Sequence, residues 1–393
     1  MHQHTDPHPQ PWPVYPPDAI EACASLLAAG RSYDYARGTE IAALEDHFAS
    51  QHNRSHALAV NSGTSALFLA YQALGVTTGD EVVVPTFTFP ATATPLLWLG
   101  ARPVLVDCGE DSGNLTAETI ASGITERTRG IAVTHLYGHP CDMPAIVRLA
   151  REKGLFLVED CSHAHGAHDQ GRRVGTWGDA AVFSLGARKP VSGGHGGMLL
   201  TDRTEVYETA CLSSASQRRS LQSVRDPQRR LISDTGLGGN LRISPMAAVL
   251  AHAHLRQLDE LIERKRSNGD RLVRELATLP GLSAVTARPG TDAGGRFGLH
   301  MVYDAAEAGL PRDQMITRLT ERGLRIGSTQ TTPLHLTSLS RSPDCPSAST
   351  SHGFPLADRL ARTWISLPAD YLHGDATALI RHYVRHFKEV WQR

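Results

Sequence analysis

The chain has 393 residues, of which 41% are hydrophobic, with 35 Gly and 23 Pro. That length exceeds one simple core and suits a large domain joined to a smaller one. Lys plus Arg (39) nearly balance Asp plus Glu (40), a net charge of -1 that argues against a nucleic-acid surface. No run approaches the roughly 20 apolar residues of a membrane span.

Met1–Pro17 is rich in His, Pro and Gln and lacks an apolar core, which predicts a disordered arm rather than a signal peptide. His2, His4 and His8 belong to that arm and read as solvated rather than as metal ligands. From residue 56 to 202, short apolar runs alternate with helical patterns. The runs are His56–Val60, Glu81–Val84, Pro103–Asp107, Gly130–His135, Leu155–Asp160, Ala180–Ser184 and Gly197–Thr201. Several are nearly continuous in Val, Leu and Ile, as expected of strands covered on both faces. One intervening helix starts near Thr64, with Leu67, Ala70, Tyr71 and Leu74 on one face. Another starts at the N-cap Asp142 and stops at Gly154. This alternation predicts an α/β domain, residues 18–262, with a mostly parallel seven-stranded sheet between helices.

Gln217 to Asp234 is polar and Arg-rich and reads as a mobile loop. Ser244-Pro245 then caps a long helix reaching about Leu279, with the domain boundary inside it near residue 262. The remainder, 263–393, reads as a smaller α+β domain. It has a helix over Arg312–Arg322, an irregular loop over Thr337–Ser351 and a terminal helix over Asp375–Gln392. The six cysteines (Cys23, Cys108, Cys141, Cys161, Cys211, Cys345) form no CxxC pair, which suits free thiols in a reducing cytoplasm.

Four features fall at the ends of predicted strands, the edge where open α/β sheets bind ligands. Asn61-Ser62-Gly63-Thr64-Ser65 joins a strand to a helix N-terminus, whose free N–H groups and positive dipole end suit a phosphate; a plain N-cap would look the same. Val158-Glu159-Asp160 closes a buried strand. A buried carboxylate there needs a partner, and a pyridinium nitrogen is one candidate beside a cap or a metal. Ser184 is followed five residues later by Lys189, in a loop of small residues. Burial and the adjacent Arg188 would lower the amine's pKa and make it a nucleophile, whereas most lysines are only solvated. Ser192-Gly-Gly-His-Gly-Gly197 is a turn that lets backbone pack closely. His163 and His165 form a His-x-His pair, but no matching carboxylate or cysteine set accompanies it, so no metal is expected.

Taken together these segments resemble the DegT/DnrJ/EryC1/StrS family of pyridoxal-phosphate (PLP) sugar aminotransferases, which have the aspartate aminotransferase-like fold (fold type I). The resemblance runs through Asn61-Ser-Gly-Thr-Ser-Ala-Leu, Pro85-Thr-Phe-Thr-Phe-Pro-Ala-Thr-Ala, His135-Leu-Tyr-Gly-His-Pro and Val158-Glu-Asp-Cys-Ser-His-Ala-His-Gly-Ala. It continues through Gly171-Arg-Arg-Val-Gly-Thr-Trp-Gly-Asp, Ser184 to Lys189, Gly236-Leu-Gly-Gly-Asn-Leu-Arg-Ile-Ser and Pro333-Leu-His-Leu. It implies that Lys189 forms the Schiff base with pyridoxal 5'-phosphate. It pairs Asp160 with the ring nitrogen, has Ser62, Gly63, Thr64 and Ser184 hold the phosphate, and stacks Phe89 on the ring. Asn240 would reach the phosphate of a second subunit, so a homodimer with shared active sites is implied.

Three positions depart from the family pattern. His163 stands where Gln is usual, as a hydrogen-bond donor or an aid to proton transfer. Gly186 replaces an aromatic residue and predicts a wider pocket. Gln330-Thr331 replaces His-Tyr near the substrate end. The resemblance implies an enzyme that moves an amino group from Glu or Gln to a keto sugar, often nucleotide-linked, or a cyclitol ketone, in amino-sugar or antibiotic biosynthesis. Elimination, dehydration or bond formation on the same cofactor is the alternative, and a PLP-binding regulator without turnover is a further one. Neither a nucleic-acid nor a membrane partner is expected.

Overall fold

The structure is a computed structural model and describes residues 12–110, 112–215, 217–342 and 353–392. The seven apolar runs form seven strands: β1 His56–Val60, β2 Glu81–Pro85, β3 Arg102–Val106, β4 Thr128–Thr134, β5 Phe156–Asp160, β6 Ala180–Ser184 and β7 Gly197–Thr201. Their order across one sheet is β1-β7-β6-β5-β4-β2-β3. β7 pairs antiparallel with both β1 and β6, and the other pairings are parallel. The expected mostly parallel sheet is therefore present.

The flanking helices are α1 Pro17–Ala28, α2 Thr39–Gln51, α3 Gly63–Ala73, α4 Met143–Lys153, α5 Thr204–Ser214, α6 Pro245–Arg256 and α7 Leu258–Leu276. Alternation along each strand decides which helix it meets. Leu58, Val82, Val84, Ala132, Val158, Val182 and Leu199 share a core with Leu67, Ala70 and Tyr71 of α3. Their neighbours in sequence face the other way. Ala57, Ala59, Ala181, Phe183 and Met198 meet Leu44 and Phe48 of α2 and Ala248 and Ala251 of α6. Val83, Ile131, Val133 and Leu157 meet Met143, Ile146 and Ala150 of α4. The anticipated caps are made: Asp142 and Ser244 accept the N–H groups of Ala145 and Ala247, and Gly154 ends α4 at φ 65°; Ser62, read within the phosphate segment, caps α3 through the N–H of Ser65.

The long helix expected from Ser244 is two helices, interrupted at Gln257, whose ψ of 9° leaves the helical range. On α7, Leu258 and Ile262 belong to the large core, whereas Leu272 and Leu276 belong to a second core. That second core covers an antiparallel sheet of β8 Leu282–Ala284, β9 Leu299–Tyr303 and β10 Trp364–Leu367. Helices α8 Arg312–Thr320, α9 Pro355–Thr363 and α10 Thr377–Trp391 flank it. Leu324 is buried there without joining a strand; the nearby backbone makes a single bridge, Gly327 to Ser366. The Asp107 carboxylate, at the end of β3, accepts the first N–H groups of α9, from Leu356 and Ala357, at 2.9 Å each. The irregular loop expected over Thr337–Ser351 begins with a 3-10 turn, Ser338–Arg341; the rest, with Cys345, lies outside the described residues.

Two expectations are corrected. Residues 1–11, with His2, His4 and His8, lie outside the described residues, but Trp12–Pro16 pack against the body and are not a solvated tail. The Arg-rich stretch after Gln217 is not a loose loop but two short helices, Gln217–Ser223 and Pro227–Arg230. It is anchored by charge. Glu45 of α2 is fully buried and accepts Arg219 at 3.0 Å, Arg37 at 2.6 Å and the N–H of Ala59 at 2.9 Å. A polar sequence reads as solvated until its partner, here 174 residues away, is known.

Leaving Glu45 with one fewer cation in a dry site is costly. Arg219→Met should lower unfolding free energy by about 3 kcal/mol. Urea denaturation measures this, and an unchanged midpoint would show the pair to be dispensable.

Candidate active site

The carboxyl ends of β4, β5 and β6 and the start of α3 enclose a cavity of about 400 Å³. Its wall includes Ser62, Gly63, Thr64, Phe89, Asp160, His163, Ser184 and Lys189, so eight of the nine residues singled out in the sequence meet in one place. The ninth, Asn240, is exposed and not among the lining residues. It precedes a segment that crosses to β1, where Leu241 O accepts the N–H of Asn61 at 2.7 Å.

At one end of the cavity, β1 turns into α3. Ser62 caps the helix through Ser65 N at 3.0 Å. Gly63 and Thr64 then present the first turn, whose N–H groups have no acceptor within their own helix. Close packing makes glycine necessary here. A Cβ on Gly63 would lie 2.9 Å from Ser184 Cβ, and one on Gly197 would lie 2.2 Å from Ser62 O. The glycine-rich turn thus brings β7 against the α3 start, and Ser184 stands beside it with its hydroxyl accepting Gly186 N at 3.3 Å.

On the floor, β5 ends in two carboxylates that point to opposite faces. Glu159 is fully buried and accepts the N–H groups of Gly175, Trp177 and Gly178 at 2.7–2.8 Å. His135 also approaches it at 3.2 Å. Burial alone would raise the Glu159 carboxyl, but His135 and the N–H groups of Gly178 and Gly175 hold it below the ordinary value. With Cys161, these two side chains make the one group of three metal-ligand types found among the described residues. His135 and Glu159 are already engaged, however: Cys141 N–H points at His135 Nδ1, which leaves the Nε2 proton to Glu159. The cluster braces the strand end. Asp160 faces the cavity instead, accepting Thr92 Oγ1–H at 2.8 Å and Ser162 N–H at 3.1 Å.

Opposite Asp160 is Lys189. Burial, partly offset by the Asp160 charge and reinforced by Arg188, depresses its amine from 10.5 to about 7. Its Nζ sits 3.6 Å from the centre of the Phe297 ring. Phe297 in turn stacks on His163, with centroids 4.2 Å apart and planes 4° apart. Tyr137 lies parallel to His163 on the same stack, at 5.7 Å. Burial, then the Lys189 charge, push His163 well below its usual range, and Tyr137 N–H approaches its Nδ1 at 3.4 Å. The ring is a neutral hydrogen-bonding group, which disfavours the role of proton carrier. His165 is turned away and meets Ser184 O through Nε2 at 3.0 Å, so the His-x-His pair does not converge on one point.

Phe297 and Thr92 were not singled out by sequence reasoning. Thr92 sits in the quoted Pro85–Ala93 motif, but its bond to a residue 68 positions away leaves no local trace. For Phe297 the sole local sign is an aromatic residue set among Gly294, Gly295 and Gly298. Gln330 and Thr331 do line the cavity, at its small-domain side. A Cβ on Gly186 would meet only Ser184 Oγ, at 3.5 Å, so that part of the wall is open, as expected.

The arrangement offers a helix N-terminus for an anion, a buried carboxylate for a cationic ring atom, and an amine that is a nucleophile at neutral pH. Because the pKa is lowered, the neutral amine predominates above about pH 7 rather than above 10.5. Acylation of Lys189 in the chain without added cofactor, followed by mass spectrometry, should reach half its plateau rate near pH 7. A midpoint near that of exposed Lys153 would contradict the depression.

The model of the DegT/DnrJ/EryC1/StrS aminotransferase family matches residues 18–378. GDP-perosamine synthase of Escherichia coli O157:H7 is 38% identical over 234 residues, which is 60% of this chain and 62% of that protein. The L-glutamine:2-deoxy-scyllo-inosose aminotransferase of Streptoalloteichus tenebrarius is 34% identical over 342 residues, 83% of this chain and 79% of that one. The crystal structure of 3-amino-5-hydroxybenzoic acid synthase superposes with a TM-score of 0.86 at 28% identity, covering 99% of this chain and 100% of that chain. The fold is that of the type I aminotransferases, and the chain belongs to the DegT/DnrJ/EryC1/StrS aminotransferase family.

Proposed function

We propose that this chain is a pyridoxal-phosphate aminotransferase carrying its cofactor on Lys189. In this reading it passes an amino group from Glu or Gln to a keto sugar, often nucleotide-linked, or to a cyclitol ketone, in amino-sugar or antibiotic biosynthesis. The observation that carries it is the low-pKa amine of Lys189 and the Asp160 carboxylate facing one cavity whose end is a helix N-terminus. The donor set fits the cofactor part by part. Asp160, held by Thr92 and Ser162, suits a protonated pyridine nitrogen. Gly63, Thr64 and Ser184 suit a phosphate, with Ser62 as the cap that fixes the turn. Phe89, a lining residue that is 58% exposed, is the flat apolar face available to a ring.

When bound, the cofactor supplies an electron sink for the pair left when a substrate C–H proton is removed. The chain's residues do the rest. Lys189, whose amine is lowered to about 7, would be the base that takes the proton from the donor carbon once it is free of the cofactor. Its neighbour Phe297 tolerates both charge states, because a ring face attracts the ammonium without ion-pairing it. His163, fixed between Phe297 and the Tyr137 backbone, holds its remaining N–H as a donor for a ring oxygen. Gly186, Gln330 and Thr331 form the side open to the acceptor.

The reading includes a cytoplasmic homodimer. The five cysteines among the described residues are free, and no described helix is long and apolar enough to cross a membrane. Leu231, Ile232 and Leu237 are exposed beside Asn240, as suits a segment that a second copy would cover.

The test is direct. Borohydride reduction of the PLP-loaded protein should label Lys189, and Lys189→Ala should lose turnover by at least about a thousandfold. Mixing with Glu or Gln should convert the chromophore to its amine form and yield the keto acid. Labelling of a different lysine, or ammonia release without that conversion, would overturn the assignment.

A further inference from the structure

Lys189 is carried on a loop, not on a strand, so something must fix its main chain. Its N–H makes a turn to Gly186 O at 2.9 Å. The next residue is Pro190, which has no N–H and restricts Lys189 to extended backbone. The Lys189 carbonyl finds its donor 177 residues away, in the indole N–H of Trp12 at 3.0 Å. Trp12 is one end of a short strap over the same loop. Tyr15 Oη lies 3.2 Å from Ser192 Oγ, which also accepts Gly194 N–H at 3.1 Å.

His254 of α6 ties strap and loop together. Its Nδ1 accepts Ser192 N–H at 3.2 Å, and its Nε2 donates to Val14 O at 2.9 Å. Its ring is stacked by Trp12 at 24° on one contact and Tyr15 at 16° on the other, both with centroids 4.7 Å away. Trp12 also touches His373, which follows β10 of the small domain, at 5.2 Å. Every polar contact of this sandwich ends on the residues that follow or include Lys189, or on the strap itself. An N-terminal segment that served only to cover apolar surface would not need to place one donor on the carbonyl of that lysine.

We propose that Trp12–Tyr15 with His254 form a clamp on the loop 189–194, and that Trp12 and His254 are positioning residues for the Lys189 amine. The clamp acts through the backbone. It holds the Lys189 Cα while the side chain stays free to swing between cofactor and substrate. The catalytic part of this inference rests on the assignment of Lys189 above; the clamp itself does not.

Two variants separate the contacts. Trp12→Phe keeps a stacking ring and removes the N–H donor; His254→Phe keeps the sandwich and removes both hydrogen bonds. In the cofactor-free protein, amide hydrogen exchange over residues 186–196 should accelerate about fivefold in each, since each variant removes one hydrogen bond made directly to that loop, while exchange in β4 and β5 stays unchanged. In the loaded protein, kcat should fall about tenfold with the donor KM retained, and the pH midpoint of the lysine-bound chromophore should shift. Unchanged exchange in both variants overturns the clamp, as does equal acceleration throughout the large domain. Localised acceleration with kcat, KM and the chromophore midpoint at wild-type values overturns the positioning role. Borohydride labelling of the unmodified protein is the independent arm. If the label falls elsewhere while exchange still accelerates locally, the assignment of Lys189 fails and the clamp remains as a structural brace.

Discussion

One constraint organises the site: an amine and a carboxylate face each other across one cavity at the sheet edge. Burial makes each charge expensive, and the molecule resolves the cost differently for the two. Asp160 keeps a hydroxyl and an N–H donor and sits at a strand end that Glu159 and His135 brace from the opposite face. Lys189 gives up part of its charge instead, and its amine descends to about 7. A surface lysine would be protonated and inert; an amine in a fully apolar hole would have no electrostatic tie to the ring below it. The compromise depends on the parallel sheet, because only the carboxyl edge brings the ends of β4, β5 and β6 and the start of α3 together.

The same edge explains how much could be read from sequence alone. The seven strands are short, almost uninterrupted runs of Val, Leu, Ile and Ala, and a run with both faces buried is its own signal. Local hydrogen bonds are equally legible. Asp142 and Ser244 were recognisable caps because the cap and the N–H donor it accepts lie three residues apart, and Gly154 because a left-handed stop favours glycine. The cavity residues could be named because each occupies a motif at a strand end.

What was not legible is what depends on distance along the chain. Arg219 reads as a solvated arginine until Glu45 is placed beside it, and Trp12 as part of a tail until Lys189 O lies within reach. Phe297 comes from the approach to β9, in the small domain, yet supplies the ring under the Lys189 amine. Gln257 interrupts a helix whose apolar stripe runs on without a break; Leu255 and Leu258, on either side of it, share the large core, and α7 reaches the second core only from Leu272. In each case the composition is ordinary, and tertiary packing alone gives the residue its role.

The three positions expected to depart from the family pattern have distinct surroundings. The His163 ring is flat against Phe297 and neutral, so it can present one N–H in a fixed plane, as a side-chain amide would, while adding an aromatic face that an amide lacks. That face extends the stack inward through Tyr137 to His300, whose ring lies 3.8 Å from the tyrosine's. The inner wall is thereby stiff and aromatic. The outer wall carries no side chain at Gly186, and Gln330 and Thr331 offer an amide and a hydroxyl. Both walls join residues from either side of α7: His163 and Tyr137 stack with Phe297 and His300, and Gly186 lies across from Gln330 and Thr331.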